Sequence, residues 1–163
     1  MNALSKLNFQ IIPVQIFLFI FWFKNGVVDK FFSILMGFVS PGSVPHGDTY
    51  EGWAEYIVGT WDKSEIGHAL LSPMFPFMFP VLIGLQIMPV LFILRSVLNQ
   101  EFLTGHIDLT FTRLAAIASL CVTSVMLFSQ TITGADDGQY LWQLLGLGMV
   151  TLMYINMLNK EAK

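Results

Sequence analysis

The sequence predicts an all-α polytopic membrane protein, a bundle of four transmembrane helices with a short interfacial helix in its first outer loop. Two observations carry that expectation. Of the 163 residues 55% are hydrophobic and 12% charged, whereas about a quarter of an ordinary globular domain is charged. The apolar residues also gather into long runs, and a run of about 20 residues crosses a bilayer as a helix. A chain of this length is read as one domain, 1–163, with four spans near 8–30, 69–97, 109–130 and 139–158 and an outer loop at 39–67. No room is left for a soluble catalytic domain.

The first apolar run extends from Asn8 to Lys24 and is followed by NGVVDK and a second apolar piece, FFSILMGFV. A single helix over 8–38, at about 1.5 Å per residue, outruns a hydrocarbon core of about 30 Å. The span is therefore expected to end near Asp29 with 31–38 at the interface, or to continue as a helix whose upper end projects beyond the bilayer. No small-residue cleavage site follows, so it reads as a retained span rather than a signal peptide. Residues 39–67 are rich in Gly, Pro and acids and read as a loop. Within it Trp53, Tyr56, Ile57 and Trp61 recur at helical spacing, the pattern of a surface helix that sets its rings among the headgroups. Pro73, Pro76 and Pro80 crowd the start of the second span and Pro89 lies further along, predicting an irregular start and a kink. The third and fourth spans are joined by GADDG, a tight acidic turn.

Lys6, Arg95, Arg113, Lys160 and Lys163 flank one side of this arrangement. The other side holds Lys63 among Asp48, Glu51, Glu55, Asp62, Glu65, Asp136 and Asp137. Since cytoplasmic flanks retain Lys and Arg, both termini are expected in the cytoplasm and the chain in a bacterial inner (cytoplasmic) membrane.

A net charge of −3 without a basic cluster excludes nucleic-acid binding, which needs cations against phosphates. The single Cys121 excludes disulfide frameworks and zinc ribbons and reads as packing. There is no Walker loop, GxGxxG, GxSxG or HExxH motif, so the chain is not expected to be catalytic by itself. Glu65 and His68 have the i, i+3 spacing of carboxylate-bridged metal sites. A di-metal bundle needs that motif twice, with two further carboxylates, so no metal is expected. His46, His68 and His106 fall outside or at the edges of the spans, which disfavours haem.

The polar residues near membrane depth are the functional candidates, because burying charge in hydrocarbon is costly. They are Lys24, Asn25, Asp29, Lys30 and Gln86, with Gln15 besides. Two readings compete: structural pairing and anchoring, or a polar cavity that binds a headgroup, a quinone or a substrate. In α-helical geometry Lys24 and Asp29, at i, i+5, pair only loosely. Gly146 and Gly148, with Ala115 and Ser119, are small enough for close helix packing. Phe75, Phe77 and Phe79 are expected to face lipid or a partner.

The stretch Gly26-Val27-Val28-Asp29-Lys30-Phe31, and Gly84-Leu85-Gln86-Ile87-Met88 in the second span, resemble motifs of the DoxX-like small four-helix membrane proteins. Those proteins carry a glutamate where Gln86 stands, so any role needing an ionisable group there is not carried over. The resemblance implies a four-span bundle and an association with quinone-linked redox chemistry. The expected function is an accessory, structural subunit of a larger integral membrane complex, respiratory or redox-linked, whose partners are other membrane subunits and lipids. The alternatives are a DoxX-type quinone- or lipid-interacting redox subunit and a small transporter or channel. No resident cofactor is expected; a quinone or lipid is the ligand class.

Overall fold

The computed structural model describes residues 7–39, 49–61, 72–104, 108–133 and 138–161. It is all-α, and four of its helices are long and apolar enough to cross a membrane: Ile12–Met36, Pro76–Leu98, Thr110–Ser129 and Leu141–Leu158. Among the described residues the one strand-like feature is an isolated bridge between Leu7 and Leu103.

Helix α1 (Ile12–Trp22) has Pro13 in its first turn, where the missing N–H would have been unpaired anyway. It passes without a break into a π-helical segment, Phe23–Phe32, and then α2, Ser33–Val39. The helix thus continues past Asp29, in line with the expected alternative of a first helix that runs on beyond the bilayer. Both residues flanking the π segment keep helical dihedrals, so the chain changes winding rather than leaving the helix. α3 is Tyr50–Trp61, a 3₁₀ turn at Ser72–Met74 precedes α4 (Phe75–Leu98), α5 is Thr110–Thr133 and α6 is Gly138–Glu161. The 3₁₀ turn meets the expectation of an irregular start. Beyond it α4 stays helical through Pro80 and Pro89.

The core joins Ile11, Leu18 and Trp22 to Val90 and Ile93 of α4, Ala115, Ala116 and Val122 of α5, and Ile155 of α6. α5 has the most enclosed of the four spans and α6 the least; Ala115 and Ala116, buried in the first half of α5, let its neighbours approach closely. Cys121 is exposed on the outside of α5, which corrects its reading as a packing residue. Phe79, by contrast, is buried. The Tyr50 and Trp53 rings of α3 lie 5.6 and 5.1 Å from the Phe79 ring, so Phe79 anchors the loop helix to α4 instead of meeting lipid. Phe77 does face outward.

The end of the bundle that holds Leu7 is closed by polar contacts. α4 stops in a Schellman arrangement: the Gln100 N–H donates to the Val97 carbonyl at 3.0 Å and the Glu101 N–H to the Ser96 carbonyl at 3.1 Å. The left-handed residue is Gln100, with φ 60°, where glycine is the usual occupant. Gln100→Gly is expected to raise stability by about 1 kcal/mol, measured by denaturant titration of the purified protein.

That turn delivers Glu101 to the start of α5. Its buried carboxylate accepts the Phe111 and Thr112 N–H groups, each at 2.8 Å, and the Thr112 hydroxyl at 2.7 Å. Unpaired N–H groups at a helix start make this a favoured place for an anion. Asp108 accepts the Thr110 N–H at 3.0 Å and also the Thr110 hydroxyl. From α1, buried Gln15 donates through Nε2 to Ser96 Oγ at 3.1 Å and Thr112 Oγ1 at 3.0 Å. The Arg95 guanidinium lies 5.6 Å from the Phe111 ring centre, a cation–π contact between α4 and α5.

Candidate functional site

At the other polar cluster the helices do not close. A cavity of about 220 Å³ is lined by Phe21, Trp22, Asn25, Asp29 and Lys30 of the first helix, Gln86 of α4, Met126 of α5 and Leu144 of α6. Every membrane-spanning helix contributes to its wall. Gln86 is 12 residues from the end of α4 at Leu98, or about 18 Å along the axis. Gln86 therefore lies near the middle of the Pro76–Leu98 span.

The π winding builds one side of it. In a π-helix the backbone bonds run from i to i+5, so residues five apart lie above one another. Lys24 Nζ accordingly donates to Asp29 Oδ2 at 2.7 Å, a tight ion pair where α geometry allowed a loose one. The Lys24 side chain is 69% exposed and that of Asp29 29%; the lysine points outward while the carboxylate reaches back to the wall. Asn25 donates through Nδ2 to the Phe21 carbonyl at 2.7 Å. Of the cluster expected from the sequence, Asn25, Asp29, Lys30 and Gln86 converge on one space, and Lys24 is joined to it through Asp29.

Gly26 sets the distance to α4. A Cβ there would lie 2.9 Å from the carbonyl carbon, carbonyl oxygen and Cβ of Gln86, so the absent side chain is what allows the first helix to rest on the α4 backbone. Trp22, almost wholly buried, donates through Nε1 to Ser119 Oγ at 2.8 Å, and the Thr123 hydroxyl donates to the Ser119 carbonyl at 2.8 Å. The indole is held edge-on to the Phe21 ring, with centroids 5.0 Å apart.

The two buried glutamines differ in one respect that decides which is the site. Gln15 spends both amide hydrogens on hydroxyls. Gln86, 4% exposed, donates through Nε2 to Met126 Sδ at 3.7 Å, a weak acceptor. Its Oε1 is buried and accepts nothing, and among the described residues it is the one buried side-chain polar atom in that condition. Such an atom costs about 1–3 kcal/mol, and native proteins keep few of them.

Trp53 packs against Phe79, while Tyr56 and Trp61 belong to α3. Glu65 and His68 lie outside the described residues, and no group of three or more metal-ligating side chains is found among the described ones. Ala115 and Ser119 are buried against neighbouring helices. Gly148 meets Leu120, whose Cδ2 would be 2.7 Å from an added Cβ, whereas Gly146 has no neighbour within 4 Å. Gly146 therefore opens onto the surface and does not pack within the bundle. Reasoning from polar residues missed Phe21, Trp22, Met126 and Leu144. Only Trp22 carried a signal, as an indole well inside a span rather than at its interface.

Comparison with protein-family models, curated proteins and solved structures returns no match. What the site does is read from its geometry.

Proposed function

We propose that this chain is a non-catalytic membrane subunit that holds the polar head of a quinone or a lipid in the cavity beside Gln86. The observation that carries this reading is that one residue, Gln86, both lines a space able to receive a ligand and holds a buried amide oxygen with no partner. A structural role alone leaves both unexplained, since a packed leucine at position 86 would avoid the cost. Ligand sites combine apolar walls with a few polar groups, and here Phe21, Trp22, Met126 and Leu144 surround Asn25, Asp29, Lys30 and Gln86. The volume is below the range of about 300–1,000 Å³ usual for whole drug-sized ligands, which suits a head whose tail continues between the helices. The resemblance to DoxX-like proteins points to the same ligand class.

Titration of the nanodisc-embedded protein, with Trp53, Trp61 and Trp142 each replaced by Phe so that Trp22 alone reports, tests the reading. A decyl-tailed benzoquinone, oxidised or reduced, or a brominated monoacylglycerol is expected to quench Trp22 saturably. Quenching that only rises linearly with probe would refute it.

One further observation favours membership of a larger membrane complex, for which a redox link is proposed on the resemblance alone. Gly146, Met149, Val150, Met153 and Met157 form an outward strip on α6, and a surface glycine with adaptable methionines suits a partner helix. Partner subunits are expected to co-purify in mild detergent with the wild type and to be lost with Gly146→Leu. Both termini are assigned to the cytoplasm on the Lys and Arg distribution, with the chain in the bacterial inner membrane; maleimide labelling of cysteines introduced at each end of intact cells checks this.

A further inference from the structure

We infer that the head bound in this cavity carries a hydroxyl group and donates its hydrogen to Gln86 Oε1. The inference rests on the binding reading above and adds the direction of the hydrogen bond. The Gln86 amide has a fixed polarity. Its Nε2 donates to Met126 Sδ at 3.7 Å, and turning the amide over would set two acceptors, Oε1 and the thioether, against each other. The amide therefore offers the ligand an acceptor, and a ligand bearing only carbonyl or ether oxygens leaves that acceptor unpaired. Oε1 itself is closed off from solvent, so binding displaces the side chains that cover it while Nε2 stays on Met126 Sδ.

Of the other polar groups on the wall, Asp29 is ion-paired to Lys24 through Oδ2 and Asn25 donates to the Phe21 carbonyl, whereas Gln86 Oε1 is buried with no partner. The apolar walls, with Phe21 and Trp22 meeting edge to face, favour an uncharged head. Two sources offer that chemistry: an aromatic alcohol of the hydroquinone kind, and the aliphatic hydroxyl of a lipid.

Three competitors of matched tail, each read by its displacement of the quenching decyl-tailed benzoquinone from the single-Trp22 protein, separate the outcomes: 4-nonylphenol, its methyl ether, and 1-decanol. The phenol is expected to bind about tenfold more tightly than the ether, one neutral hydrogen bond being worth about that factor. In Gln86→Met the two should bind alike. Decanol binding as tightly as the phenol assigns the hydroxyl to a lipid, and decanol binding as weakly as the ether assigns it to an aromatic head. Equal binding of phenol and ether to the unsubstituted cavity, or a preference that survives in Gln86→Met, overturns the inference while leaving the binding reading in place. Failure of the decyl-tailed benzoquinone to quench Trp22 saturably refutes the binding reading itself. The phenol–ether comparison needs no substitution at position 86, so it stands if Gln86→Met fails to fold.

Discussion

Replacing Glu101 with alanine is expected to lower the free energy of unfolding by about 3 kcal/mol or more, because hydrogen bonds to a charged group contribute about 1.5–3 kcal/mol each. The carboxylate is buried and takes three hydrogen bonds from the first turn of α5. Its removal orphans the Phe111 and Thr112 N–H groups and unsettles the hydroxyl that also receives Gln15. One side chain thus ties the turn after α4, the start of α5 and, through Thr112, the first helix. Glu101→Gln keeps a single acceptor oxygen and should lose roughly half as much. SDS titration of the protein in mixed micelles reads both values. A loss for Glu101→Ala no larger than that of an exposed acidic residue, such as Glu51, would show that the carboxylate does not organise this end of the bundle.

Gly26→Ala is the second large effect, and two opposing contributions decide its sign. Alanine is favoured over glycine in a helix by about 1 kcal/mol. Against that stands the close approach to Gln86: the added methyl meets backbone atoms at 2.9 Å, and the backbone of α4 cannot swing aside as a side-chain tip would. Overpacking of this kind costs about 1–3 kcal/mol, so the net result is a loss of stability, with a weaker Trp22 response to ligand as the first helix backs away from Gln86. Gly84, on the same helix as Gln86, has open space where its Cβ would go. Gly84→Ala should therefore stabilise by up to about 1 kcal/mol, and opposite signs at the two positions identify packing as the cause.

The contrast between these residues also explains what the sequence made legible. Hydropathy and proline placement locate four spans because crossing a bilayer demands length and apolarity, which are properties of local composition. The polar residues of the cavity were visible for the same reason, as costs that need a cause. Their arrangement was not. Pairing of Lys24 with Asp29 depends on a winding with i to i+5 bonds, and the apolar spacing of Phe23–Phe32 carries no mark that distinguishes it from an α-helix. Glu101 escaped notice because it stands in a short polar connection and acquires its role only when the left-handed turn at Gln100 brings it to another helix. Met126 and Leu144 are ordinary apolar residues whose place in the wall is decided by which face of each helix turns inward. Gly146 and Gly148 read alike in sequence, yet one opens outward and the other receives Leu120.

The central claim is that a membrane-soluble molecule occupies the space beside Gln86. Native mass spectrometry of the protein released from nanodiscs of its own membrane lipids tests it most directly, with Leu144→Phe as the variant that fills the cavity. The account predicts a retained small molecule of defined mass on the wild type and its loss from Leu144→Phe at unchanged fold by circular dichroism. Wild type that carries no such molecule, or a variant that retains it undiminished, would contradict the account.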